Sequence, residues 1–140
     1  MRHTFSTFET GNTFTEEKQV MEARAITKNA RISAFKTRHV TRLIQGKTAT
    51  EALRMVELMP RKAARLVAET LKSAIANAEN NERGENVKVA DLVVKTAQVG
   101  EGQTLRRFRP KARGSAGRIR KRSSNIRIEV ATATLAEEKK

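Results

Sequence analysis

The chain has 140 residues, with 29 Lys or Arg against 15 Asp or Glu and a net charge of +14, a length that suits one domain with a modest core. It has no cysteine, which excludes disulfides, thiolate metal sites and thiol nucleophiles, and no stretch approaches the roughly 20 apolar residues of a membrane helix. So positive a chain resists compaction unless a polyanion neutralises it, and a nucleic-acid phosphate backbone is the commonest such partner, ahead of an anionic membrane surface.

Residues 1–21 are rich in Thr, Phe and Glu without a sustained period, and a flexible extension is expected there. An organelle transit peptide would avoid acidic residues, whereas Glu9, Glu16 and Glu17 fall in this stretch. Partial alternation over residues 22–32 predicts a half-exposed strand. Ser33 is placed to cap a first helix carrying Phe35, Arg38, Val40, Leu43 and Ile44, with Gly46 as its stop. Thr48 and Glu51 have the spacing of a capping box at the start of a second helix, followed by Ala49, Ala52, Leu53, Val56 and Met59. Pro60 cannot continue that helix and is expected in the first turn of a third. The third helix has a stripe of Ala63, Leu66, Val67, Thr70, Leu71, Ala74, Ile75 and Ala78 and ends near Asn80. These alanine-rich stripes are read as core packing.

Asn80, Asn81 and Gly84 mark a turn, and residues 92–100 then read as a Val-rich strand. Ile126, Ile128 and Val130 alternate with Arg127 and Glu129, as in a strand with one buried face. Between these strands, residues 106–127 hold ten Lys or Arg and no Asp or Glu. Too few apolar residues are present there to bury a second core. If the chain runs out from Val94 to Pro110 and returns from Arg118, each arm extends roughly 50 Å, against about 30 Å for the third helix. The distal part is expected to project as a slim cationic hairpin, with Gly114 and Gly117 giving freedom at the tip and Ala112 and Ala116 keeping it thin. A disordered basic tail is the plainer meaning of such a charge block, but a tail would not return the chain to a strand at Ile126. Five Phe, with no Tyr or Trp, argue against a module that reads single strands by stacking. Contacts to phosphate and groove shape are expected instead.

The stretch Arg107-Phe108-Arg109-Pro110-Lys111-Ala112-Arg113-Gly114-Ser115-Ala116-Gly117-Arg118-Ile119, followed by Lys121-Arg122-Ser123-Ser124-Asn125-Ile126, resembles the signature of the large-subunit ribosomal protein twenty-two family. Arg31-Ile32-Ser33 with Lys36, Arg38, Leu43, Ile44, Gly46 and Lys47, and Ser73-Ala74-Ile75-Ala76-Asn77-Ala78-Glu79, resemble its helical domain. The resemblance implies an α+β fold: a small three-stranded antiparallel sheet packed on three helices, with a long protruding β-hairpin at about 94–127. The resemblance covers about residues 23–130; one domain is expected over residues 22–135, and the charged tail at 136–140, like the first 20 residues, lies outside the resemblance. The resemblance also implies binding to large-subunit ribosomal RNA, a part in subunit assembly, and a hairpin tip lining the polypeptide exit tunnel near a macrolide site. The implied partners are that RNA, neighbouring ribosomal proteins including protein four at the tunnel constriction, and the nascent polypeptide. The protein would be a cytoplasmic monomer within the ribosome, with no membrane partner, cofactor or metal.

By position, the resemblance puts Arg31, Lys36, Arg38, Arg106, Arg107, Arg109, Lys111, Arg113, Arg118, Arg120, Lys121, Arg122, Ser123, Ser124 and Asn125 against RNA. Arg109, Pro110, Lys111, Ala112, Arg113, Gly114, Ser115, Ala116, Gly117 and Arg118 would form the tunnel-lining tip. Two residues depart from the family's usual pattern: Ser115 stands at a commonly basic position and Asn125 at one commonly held by His.

Other classes of function find less support. His3, His39 and the scattered carboxylates form no nucleophile motif, ligand pair or phosphate loop, so an enzyme is not expected. A DNA-compacting or membrane-active cationic protein would carry similar charge, but here the charge concentrates on a ribbon and not on one face of an amphipathic helix.

Overall fold

The computed structural model describes residues 22–80 and 88–132. The expected extension over residues 1–21, Asn81 and Gly84 of the expected turn, and the tail at 136–140 lie outside the described residues. In chain order the elements are β1 (Glu22–Ala30), α1 (Ala34–Ile44), α2 (Ala49–Leu58), α3 (Lys62–Glu79), a short 3-10 turn (Val89–Asp91), β2 (Leu92–Glu101), β3 (Leu105–Pro110), β4 (Ala116–Lys121) and β5 (Ser124–Thr132). The fold is α+β, with three helices and antiparallel sheets.

Helix α1 buries Ala34, Thr37, Val40, Thr41 and Ile44. Phe35 and Leu43, expected to belong to its apolar stripe, are 70% and 47% exposed. At about 100° per residue Leu43 falls just beside the arc through 37, 40, 41 and 44, and Phe35 falls nearly opposite it. The buried hydroxyls of Thr37 and Thr41 donate to the carbonyls of Ser33 and Arg38 at 3.2 and 3.3 Å, so neither is left unpaired. Ser33 occupies the N-cap position but its side chain makes no capping bond. Gly46, at φ +79, ends the helix. Its amide donates to Val94 O and the Val94 amide donates to Lys47 O, both at 2.9 Å, which joins the loop to the outer edge of β2.

Only half of the expected capping box forms at α2. Thr48 Oγ1 accepts the Glu51 amide at 3.4 Å, while the Glu51 carboxylate turns to Lys47 Nζ at 2.6 Å. Pro60 lies outside α3, in the connection that precedes it. The Arg61 amide donates to Met59 O at 2.8 Å, and this tight turn holds Arg61 extended, so the helix begins at Lys62.

The main sheet has the order β1-β5-β2. Ile128 of the central strand stands opposite Ala25 on one side and Ala97 on the other. Ile126, Ile128 and Val130 of β5, Ala23 and Ala25 of β1, and Leu92 and Val94 of β2 share one core with Val40, Ile44, Val56, Val67 and Leu71 of the helices. Fully burying each of the larger side chains is worth about 1.5–3 kcal/mol. Alanines at 63, 64, 68, 74 and 78 of α3 are also buried, and small side chains let helix axes come close. On the opposite sheet face, Lys95 bonds Glu22 and Arg127 bonds Glu129. The Thr96 hydroxyl and then the Arg127 guanidinium hold the Glu129 carboxyl below its ordinary pKa, against a smaller opposing effect of burial.

The expected continuous hairpin over residues 94–127 is divided. Its inner portions, β2 and β5, pair with each other in the main sheet, whereas β3 and β4 form a separate two-stranded ladder. Gly102, Gln103 and Thr104 on one side and Arg122 and Ser123 on the other lie between the ladders. Each arm of the outer ribbon has six residues, about 20 Å of the roughly 50 Å expected for the whole arm from Val94. The helices pack on the inner portion, and that shortens the part that stands alone.

Candidate nucleic-acid interface

The ribbon register is Leu105 to Lys121, Arg106 to Arg120, Arg107 to Ile119, Phe108 to Arg118, Arg109 to Gly117 and Pro110 to Ala116. Directly opposite residues share a face, so one face carries Arg106, Arg120, Phe108 and Arg118, and the other carries Arg107, Arg109 and Lys121. With Lys111 and Arg113 at the end, eight cations lie between residues 106 and 121, all exposed. None of the eight is in an ion pair among the described residues. Facing Arg106 with Arg120 is unfavourable in a free ribbon, and no fully buried side chain in β3 or β4 offsets it.

The tip is ordered by backbone geometry. Arg113 and Gly114 adopt φ of 58° and 70°, the pair of positive angles that a two-residue hairpin turn needs. Ser115 closes it: its amide and hydroxyl both donate to Ala112 O, at 3.4 and 2.9 Å, while Lys111 N–H donates to Ser115 O at 2.8 Å. Ser115 therefore has a conformational job at the tip. Gly117 leaves room for the Lys111 side chain, whose Cδ and Nζ would lie 3.2 and 3.3 Å from a Cβ there.

Where ribbon meets sheet, the expected RNA-facing polar residues turn inward. Ser123 Oγ donates to Gln103 O at 2.5 Å. Asn125 Oδ1 accepts the Asn29 amide at 2.8 Å and its Nδ2 donates to Glu101 O at 3.5 Å, so the residue ties β1, β2 and β5 together. Asn29 sits at φ 54 within a register shift of β1. Ser124 is fully buried and its Oγ has no partner among the described residues. Ser124, expected against RNA, lies on the core-facing side of β5 with Ile126 and Ile128 and has no exposed side chain.

Arg31, Lys36 and Arg122 come together with Arg120 around a cleft of about 590 Å³ that is also lined by His39, Arg61 and Lys62 and by no carboxylate. Lys62 Nζ donates to Arg31 O at 3.2 Å, bracing one wall. Arg38 stands apart, docking α1 on β2 through Nε and Nη2 bonds of 3.3 and 3.2 Å to Val99 O. A larger recess of about 760 Å³ between α2 and α3 has a mixed lining, including Glu57, Glu69, Arg65 and Lys72, and lacks the single sign of charge that would recognise an anion. Sequence reasoning missed Arg61 and Lys62. The available signal was a basic pair at a helix start, where the helix dipole disfavours cations. Among the described residues, no group of three His, Asp or Glu side chains could hold a metal ion, and no helix is long and apolar enough to cross a membrane.

Residues 25–131 match the sequence profile of the family described as ribosomal protein L22p/L17e. The chain is 56% identical over 106 residues to a protein of Methylacidiphilum infernorum named large ribosomal subunit protein uL22, covering 76% of this chain and 90% of that one. Proteins of the same name from Opitutus terrae and Akkermansia muciniphila are each 50% identical, over 77% and 79% of this chain and 93% and 96% of theirs.

Proposed function

The chain belongs to the ribosomal protein L22p/L17e family, and from that premise we propose that it binds large-subunit ribosomal RNA, supports subunit assembly and lines the polypeptide exit tunnel with its ribbon tip. The family resemblance read from residues 107–126 and the matched profile agree on the same protein class. Proteins of this class are structural parts of the ribosome and not enzymes. The reading places the protein in the ribosome of the cytoplasm as a single copy, beside protein four and the nascent chain, with residues 22–135 as one unit.

The observation that carries it is the ribbon itself. Eight exposed cations stand on a two-stranded ladder with no core of its own, an arrangement that a surrounding polyanion would stabilise through counterion release and charge-assisted bonds. Arg106, Arg107, Arg118, Arg120 and Lys121 would take phosphates along the arms. Arg109 to Arg118, closed by the Arg113-Gly114 turn, would form the slim tip at the tunnel wall. Arg31, Lys36 and Arg122 would hold RNA at the base, and Ser123 and Asn125 would act by holding the joint.

Binding of the full chain to deproteinised large-subunit ribosomal RNA across a salt series tests this. Six to eight phosphate contacts give a slope of log K against log salt of roughly minus four to minus seven. A slope near minus one would withdraw the ribbon as the main contact.

A further inference from the structure

Helix α1 presents an exposed aromatic corner that its own fold does not use. The Phe35 and His39 rings are 4.9 Å apart at 89°, in T-shaped contact. Phe35 is 70% exposed, and the helix is already anchored by Thr37, Val40, Thr41 and Ile44. The corner stands between two recesses at the ribbon base. His39 lines the cationic cleft with Arg61, Lys62 and Arg120, while Phe35 lines a smaller recess with Arg38, Thr104 and Glu101, whose carboxylate stands 4.0 Å from Arg122. Arg122 lines both.

We propose that the Phe35–His39 corner is a stacking site for one unpaired nucleobase of the bound RNA, whose flanking phosphates lie in the cationic cleft. Charge complementarity selects the occupant. A ring face open to solvent suits any base, because every base has a π-face, and the cleft beside His39, lined by cations and by no carboxylate, suits its backbone and not a neutral apolar partner. The scarcity of aromatic residues rules out a series of platforms, but one platform needs one exposed ring pair. The site rests on the RNA-binding reading and adds to it a nucleotide that must be unstacked, which phosphate contacts alone do not require.

Stacking and phosphate contact differ in salt dependence. The test uses the full chain, deproteinised large-subunit ribosomal RNA, and unlabelled duplex RNA as competitor for non-specific sites. Phe35→Ala is expected to weaken binding about tenfold at every salt concentration with an unchanged slope, since a stacked base contributes without releasing counterions. Phe35→Trp should bind as the parent does, and Phe35→Leu should stay close to the alanine variant. Arg61→Ala should lower the slope by about one. Parent affinity in Phe35→Ala, or full recovery with Leu, would overturn the stacking site while leaving RNA binding intact. Recovery with Leu would mark an apolar contact of another kind. No salt-dependent binding by the parent chain would overturn both readings.

Discussion

The amide of Gly102 donates to the carbonyl of Ser123 at 3.0 Å, so close an approach that a Cβ on Gly102 would stand 2.7 Å from Ser123 Oγ and 3.2 Å from the Ser123 carbonyl carbon. Asn29 Oδ1 would be 3.1 Å away on another side. The joint between sheet and ribbon is built around this missing side chain. Gly102→Ala should therefore overpack it, costing about 1–3 kcal/mol, read as a lower urea midpoint. Gly100, two residues earlier in β2, has nothing within 4 Å of the same position. Gly100→Ala should stay within about 0.5 kcal/mol of the parent.

Ser124→Ala should raise stability. The buried Ser124 hydroxyl has no partner among the described residues, and an unmet buried polar group costs about 1–3 kcal/mol. The urea midpoint should rise while affinity for ribosomal RNA stays the same. A loss of RNA affinity would return Ser124 to the list of contact residues.

Glu129 gives stability a dependence on acid. Its carboxyl is held below the ordinary value of 4.5 by Thr96 and Arg127, so the folded protein binds this proton less readily than the unfolded chain. The contribution is fully present above about pH 4.5 and is lost as pH falls through the lowered folded value. Glu129→Gln should flatten this part of the stability profile in thermal melts between pH 6 and 3. An unchanged profile would mean the two bonds do not favour the charged form.

Without RNA, amide exchange should divide the chain at the joint. Leu71, Ile126 and Ile128 are fully buried, whereas the ladder of β3 and β4 rests on no buried side chain. Amides of α3 and β5 should be slow, and those of residues 105–121 fast. Equal protection on RNA-free protein would show that the ribbon has a stability of its own.

The sequence carried most of the scaffold. The spacing at Val67, Leu71, Ala74 and Ala78 marked the buried face of α3, and Ile126, Ile128 and Val130 marked that of β5, because periodic burial is written in local composition. Leu43 and Phe35 misled, since apolar type says nothing about which side of an arc a neighbouring element covers. Ser123, Ser124 and Asn125 looked like surface polar residues, and only the fold shows them bracing or entering the joint. The cleft was hidden for the same reason: Arg61 and Arg120 are 59 residues apart in sequence and meet only when the ribbon base passes the start of α3.

A density map of large ribosomal subunits assembled with this chain would locate the ribbon. Residues 105–121 should be enclosed by ribosomal RNA, with phosphates against Arg106, Arg118 and Arg120 and the Lys111 to Ser115 tip at the wall of the exit tunnel. A ribbon lying on the solvent face of the subunit, with those arginines away from phosphate, would contradict the proposed function.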